Sequence, residues 1–258
     1  MSNTSRRPPV VAARWAVALA AAAALAGCST VHADTTSRHS TATITATTTQ
    51  PAATSAERVA TEQPQPTSNE SAAQAIRTLD SLAVKGRAPK TGYSRAQFGA
   101  AWSDDVTVEG GHNGCDTRND LLKSLRNKVI KPNTHGCVVL SGVLDDPYTG
   151  RSIPFQRGPQ SGRIQVDHLV ALLDAWQKGA QQLSVDQRRN LANDPRNLQL
   201  VDGPTNAAKG AGDAATWLPP NKGYRCTYVQ RQIAVKSIYH LWVTAAEKEA
   251  MLRILRSC

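Results

Sequence analysis

An α+β fold is what the sequence predicts for positions 93–258, on three observations. Short runs rich in β-branched residues, such as CVVLSGVL (137–144) and NLQLV (197–201), alternate with stretches whose apolar residues recur at helical spacing. Aromatic residues, absent from 29–92, return at Tyr93, so only from there does the chain hold the apolar bulk that a core requires. Four cysteines, Cys115, Cys137, Cys226 and Cys258, fall inside the segment, an even number that suits two disulfides.

The preceding residues do not read as a domain. Arg6, Arg7 and Arg14 lead into WAVALAAAAALAG (15–27), a run too short to span a bilayer and of the size of a signal-peptide core. It ends in Leu25-Ala26-Gly27-Cys28, which resembles the lipobox of bacterial lipoproteins. That resemblance implies cleavage before Cys28, diacylglycerol on its thiol, and attachment to a membrane through that lipid. A plain secretory peptide cut near Ala33 is the alternative, and both export the chain. Positions 29–92, rich in Ser, Thr, Ala and Pro, read as a flexible tether, with a modest helix around 72–84 where Ile76, Leu79 and Leu82 share a face. Loss of the three signal arginines takes the formal charge from +10 to +7, a tilt toward acidic partners.

Within 93–258, Ser94 suits the N-cap of a helix running through Phe98 to Trp102. Thr117 and Asp120 form an N-terminal signature for a helix carrying LLKSLRNKV, which must end before Pro132. CVVLSGVL, the turn DDPYTG (145–150) and RSIPF (151–155) read as a hairpin, in which Pro154 suits an edge strand. A short strand, RIQV, delivers Asp167 and His168 to the start of a stripe formed by Leu169, Leu172, Leu173 and Trp176 that stops at Gly179. Ser184 and Gln187 open the next helix, NLQLV is a strand, and Gly203-Pro204-Thr205 turns it into a short helix bearing Asn206 and Lys209. The C-terminal part is helical, with a Thr244 and Glu247 capping box for the last helix. The two disulfides that close the shorter loops are Cys115 to Cys137 and Cys226 to Cys258, the preferred pairing of three; a zinc site from the same thiols lacks any CxxC knuckle.

The polar residues at these joints are Asp167 and His168 after one strand, Asn197 before the next, and Asn206 and Lys209 on the following helix. VDHLVAL, NDPRNLQLV and TNAAKGAGD together resemble the ββα-metal fold of HNH endonucleases, as found in CRISPR effector nucleases and GmrSD-type restriction nucleases. CDTRNDLL, GVLDDPYTG and the segment from DAATWLPP through YRCTYVQRQ resemble an exported HNH-type family, so the likeness spans about residues 93–258. It implies a ββα-metal core elaborated by extra helices and a β-hairpin.

Phosphodiester hydrolysis needs a water deprotonated near neutral pH and positive charge for the phosphorane and the departing oxygen. Carried over by the resemblance, His168 is the general base, Asp167 and Asn206 hold the metal, Asn197 braces the loop and orients the imidazole, and Lys209 meets a phosphate oxygen. A single protein carboxylate in an all-oxygen ligand set favours Mg²⁺ or Mn²⁺. The final His of the commonest motif is Asn206 here. The bland rivals are an Asp167 and His168 that bond each other and a turn, a helix-start Asn206 and a solvated Lys209. Tyr224, Arg225, Tyr228, Arg231 and Lys236 interleave rings and cations, which suits either nucleic-acid contact or a packed helix. Arg118 is open between phosphate binding and a structural role.

Two functions of different class follow. One is an exported metal-dependent endonuclease acting on DNA, with RNA also open, without a separate recognition module, a monomer needing no obligate protein partner. The other is a non-catalytic envelope lipoprotein that uses the same scaffold to bind an anionic polymer.

Overall fold

The computed structural model describes residues 68–258, which lie within one unit of the chain, so Cys28 and the signal fall outside the described residues. The helix α1 (Ser68–Ser81) opens this unit and lies against two helices of the C-terminal part, α6 (Arg225–Ile238) and α7 (Ala245–Leu255). Leu79 of α1 is fully buried in a core shared with Val229, Ile233 and Met251, and Val84 then forms a parallel bridge to Val243. The tether expected over 29–92 therefore does not extend over this helix. Low aromatic content misled there, because the apolar stripe of α1 is completed by its partners rather than by its own segment.

Three strands form an antiparallel sheet in the order β1 (Arg126–Ile130), β2 (Val139–Asp145) and β3 (Ser152–Gln156). Pro154 sits on edge strand β3, where its missing N–H costs no ladder bond. The helix predicted to carry LLKSLRNKV is cut short: α2 (Thr117–Leu122) is a turn and a half long, and RNKVI pairs with β2 as β1. The Cys115–Cys137 disulfide spans this stretch. The cap is Asp116, whose side chain accepts from Asn119 N at 2.8 Å, rather than Thr117. Beyond Leu122 the β-branched pair Val129-Ile130 gains more from the ladder than from a further helical turn.

A second, two-stranded antiparallel sheet pairs β4 (Ile164–His168) with β5 (Leu198–Asp202), His168 facing Leu198 at one end and Ile164 facing Asp202 at the other. Between them the chain makes α3 (Leu172–Gln177) and α4 (Val185–Asn193). The latter opens with the capping box of Ser184 and Gln187 that the sequence predicts. The stripe expected from Leu169 becomes helical only at Leu172, because the amide of Leu169 continues the exit of β4 by donating to Asn197 O at 2.7 Å.

After β5 the chain turns into α5 (Gly203–Lys209), capped by Asp202 with Pro204 in its first turn. Gly203 permits this turn: a Cβ there would lie 2.6 Å from the carbonyl oxygen of Gly162. The Thr244 and Glu247 capping box starts α7, and the second disulfide joins Cys226 to Cys258, so both preferred pairings are present. The described residues thus form a mixed α+β structure of two small sheets and seven α-helices stapled by two disulfides.

Candidate functional site

The exit of β4 carries the two ionisable residues into the interior. Asp167 and His168 are both buried, and each is satisfied by a different neighbour. His168 Nε2 lies 2.9 Å from the carbonyl oxygen of Ala192 at the end of α4. A carbonyl only accepts, so Nε2 carries the ring proton and Nδ1 keeps its lone pair. Among the described residues Nδ1 has no hydrogen-bond partner. The imidazole is further fixed by Trp102, whose ring lies parallel to it with centroids 5.8 Å apart and 11° between planes. Burial, together with the charges of Arg95 and Lys209 and against the pull of the Ala192 carbonyl, lowers the His168 pKa to about 4, so the ring is neutral near pH 7.

Asp167 accepts from the hydroxyl of Tyr148 and, at 2.9 Å, from Lys209 Nζ. Burial pushes its carboxyl up, against the opposing pull of Lys209 and Tyr148. Tyr148 comes from the turn between β2 and β3. Asp146 organises that turn by accepting from Thr149 N at 2.9 Å, and it ties the turn to β5 by accepting from Asp202 N at 3.1 Å. The turn signal DDPYTG is legible in the sequence, but the pairing of its tyrosine with a carboxylate two strands away is not.

Lys209 corrects the sequence expectation. Its side chain is fully enclosed, and Nζ is spent on Asp167 and on the carbonyl oxygen of His168 at 2.7 Å, so it is not presented to a phosphate. An ammonium one turn after Asn206 on a helix packed against β4 points inward, where a buried carboxylate needs a counter-charge. Asn197 is buried between two backbone segments: its Oδ1 accepts from Val170 N at 2.9 Å and its Nδ2 donates to Leu191 O at 3.1 Å. Among the described residues it makes no side-chain hydrogen bond to the imidazole.

Asn206 is half-buried, and its Nδ2 donates to Gln165 Oε1 at 2.9 Å, while its Oδ1 accepts no hydrogen bond among the described residues. Asp167, His168 and Asn206 line one cleft of about 270 Å³ together with Arg95. Among the described residues no set of three or more His, Cys, Asp or Glu side chains converges to hold a metal. The donor chemistry still fits a hard divalent cation: each oxygen of the Asp167 carboxylate has a lone pair beyond the one its donor uses, and Asn206 offers an amide oxygen. Such a set leaves most of the coordination sphere to water and substrate.

Other candidates resolve into structure. Arg118 donates to Ser161 O and Ile164 O. Arg225 donates to Pro219 O, Arg231 to Gln199 Oε1 and to three backbone carbonyls, and Lys236 is buried against Asp174 and Glu247. The interleaved rings and cations of α6 are therefore packing rather than a nucleic-acid face. The helix expected from Ser94 to Trp102 is a single 3-10 turn, Arg95–Phe98, after which Trp102 takes a left-handed backbone (φ 57°) that lays its ring on His168.

The family described as GmrSD restriction endonucleases, C-terminal domain, matches residues 116–254. An "uncharacterized secreted protein" of Arthroderma benhamiae is 36% identical over 190 residues, covering 73% of this chain and 86% of its own length. No solved structure matches the chain.

Proposed function

We propose, from the premise that the chain belongs to the family of the GmrSD restriction endonuclease C-terminal domain, that it is a metal-dependent endonuclease of the HNH type, with β4, β5 and α5 as its ββα-metal core. The observation that carries this reading is His168: a neutral imidazole at a strand end, proton fixed on Nε2, bare Nδ1, beside the cleft that Asp167 and Asn206 also line.

In this reading a water entering the cleft gives its proton to His168 Nδ1 as it attacks the phosphorus. The Ala192 carbonyl and Trp102 hold the ring so that no reorientation precedes the transfer, which is where positioning contributes most to rate. Lys209 and Tyr148 keep the Asp167 carboxylate fixed and satisfied although it is buried. Asn197 holds together the two backbone segments that flank the imidazole. A divalent cation held by Asp167 and Asn206, Mg²⁺ or Mn²⁺, would supply charge for the phosphate and the leaving oxygen.

The substrate is nucleic acid, DNA foremost, cut with little sequence preference. The site of action lies outside the cytoplasm, a placement supported by the signal-like N-terminus, the two disulfides and a relative named as secreted. Cys28 is the site of the membrane-anchoring lipid, with cleavage near Ala33 as the alternative. The protein acts as a monomer without an obligate protein partner.

The test is supercoiled plasmid incubated at neutral pH in Mg²⁺, in Mn²⁺ and in excess chelator, with wild type beside His168→Ala. Nicking that needs metal and is lost in the variant is expected. Folded wild-type protein that leaves the plasmid intact in every metal removes the enzyme reading and favours a binding role for the same scaffold.

A further inference from the structure

The cation that the sequence assigns to the substrate phosphate, Lys209, is enclosed and committed to Asp167, so the site needs its positive side chain from elsewhere. His168 borders two clefts, the polar one shared with Asp167 and Asn206 and a smaller one of about 180 Å³ walled by Phe98, Trp102 and Ala192. One cationic side chain lines both, Arg95, and Lys209 lines neither. Arg95 is exposed, and among the described residues its guanidinium makes no hydrogen bond or ion pair. Arg87, Arg118, Arg188 and Arg196, by contrast, each donate to protein oxygens.

We propose that Arg95 is the substrate-binding residue that grips a phosphate of the nucleic-acid backbone at the junction of the two clefts. The assignment rests on the endonuclease reading above and names the group that meets its substrate. A guanidinium suits the task because its planar, charged donors match two phosphate oxygens at once. Placement on a single 3-10 turn ahead of Phe98, which is itself buried, gives the side chain an anchored root and an exposed tip. The smaller cleft has mainly apolar walls, with Trp102 half-buried at its edge, so a strand crossing from the phosphate toward it would lay a base or sugar against that ring.

Arg95→Ala and Arg95→Lys would be compared with wild type in two assays. Steady-state cleavage of a labelled oligonucleotide is the first; anisotropy titration of the same oligonucleotide across a salt series, in a His168→Ala background, is the second. Arg95→Ala should lower kcat/KM about 100-fold, and Arg95→Lys should recover at least tenfold of that loss. The slope of log affinity against log salt should fall by about 1 in the Ala variant. The thermal midpoint should stay where it is, since the guanidinium holds nothing in the fold. An active wild type matched within twofold by Arg95→Ala, with an unchanged salt slope, overturns the assignment and leaves the endonuclease reading standing. A wild type that cuts no nucleic acid overturns both.

Discussion

Lys209 shows how far a motif carries at the scale of one residue. Its position one turn after Asn206 is legible in the sequence, and so is the type of element that carries it. Its partner is not, because the burial that turns an ammonium from a surface charge into a structural counter-ion depends on how α5 lies on β4. Tyr148 and Arg95 escaped for the same reason: each lies far along the chain from the motif it serves. The difference has a measurable consequence. Replacing Lys209 by Met strips a buried carboxylate of its cation and should cost about 3 kcal/mol of stability in urea unfolding, whereas a lysine reserved for substrate would leave the urea midpoint unmoved. The strand-end placement of Asp167 and His168, by contrast, was readable from the residues alone, since β-branched alternation stops there and helical spacing begins.

Among the elements, several with local signatures came out where the sequence puts them, whereas the caps read at Ser94 and Thr117 did not. Both capping boxes, the β2 to β3 turn and the start of α5 each depend on residues within four positions of one another. The misread elements are the ones decided by partners. β1 follows α2 after only three residues and becomes a strand because β2 is there to pair with it. Helix α6 carries rings and cations that suit nucleic acid equally well until its neighbours are known. Its first turn is also joined covalently to the end of the last helix through Cys226 and Cys258, 32 positions apart. Closing such a loop removes unfolded-state freedom amounting to about 3 to 4 kcal/mol. The double variant Cys226→Ser, Cys258→Ser should therefore melt about 10 °C lower by calorimetry. A midpoint within 2 °C of wild type, roughly 1 kcal/mol or less on the same scale, would show that the packing of α1, α6 and α7 suffices without the bridge.

Taken whole, the described residues are held together by an ionic cluster, buried except for Arg87 at its rim, as well as by apolar cores. Lys178, fully buried, meets Asp174 at 2.7 Å, Asp213 at 2.8 Å and Glu247 at 2.6 Å, while Arg87 meets Asp174 and Asp213, and Lys236 meets Asp174 and Glu247. Three cations and three anions from separate parts of the chain are thereby neutralised in one place. Burial pushes the Asp174 and Asp213 carboxyls up, but the surrounding cations outweigh it and hold both below the ordinary carboxylate value. A carboxyl held low in the folded protein stabilises it fully above its unfolded pKa of about 4 and loses that contribution as pH falls further. Urea midpoints should accordingly be flat between pH 7 and 5 as far as these groups are concerned, then drop steeply below pH 4. A midpoint unchanged at pH 3 would mean that the cluster adds nothing net. Alkali acts later, because the attraction of Asp174 and Glu247 overcomes burial and raises the Lys236 pKa.

The packing of α1 has a practical corollary. Leu79 fills a slot between α6 and α7, so a protein begun at Tyr93, where the composition first looks like a domain, would open that slot to water. Its apolar floor, Val229, Ile233 and Met251 among it, would then be sticky surface, and such a truncated product invites self-association during expression. The boundary that suits a chemist making this protein lies at the start of α1, some two dozen residues ahead of the one that residue composition suggests.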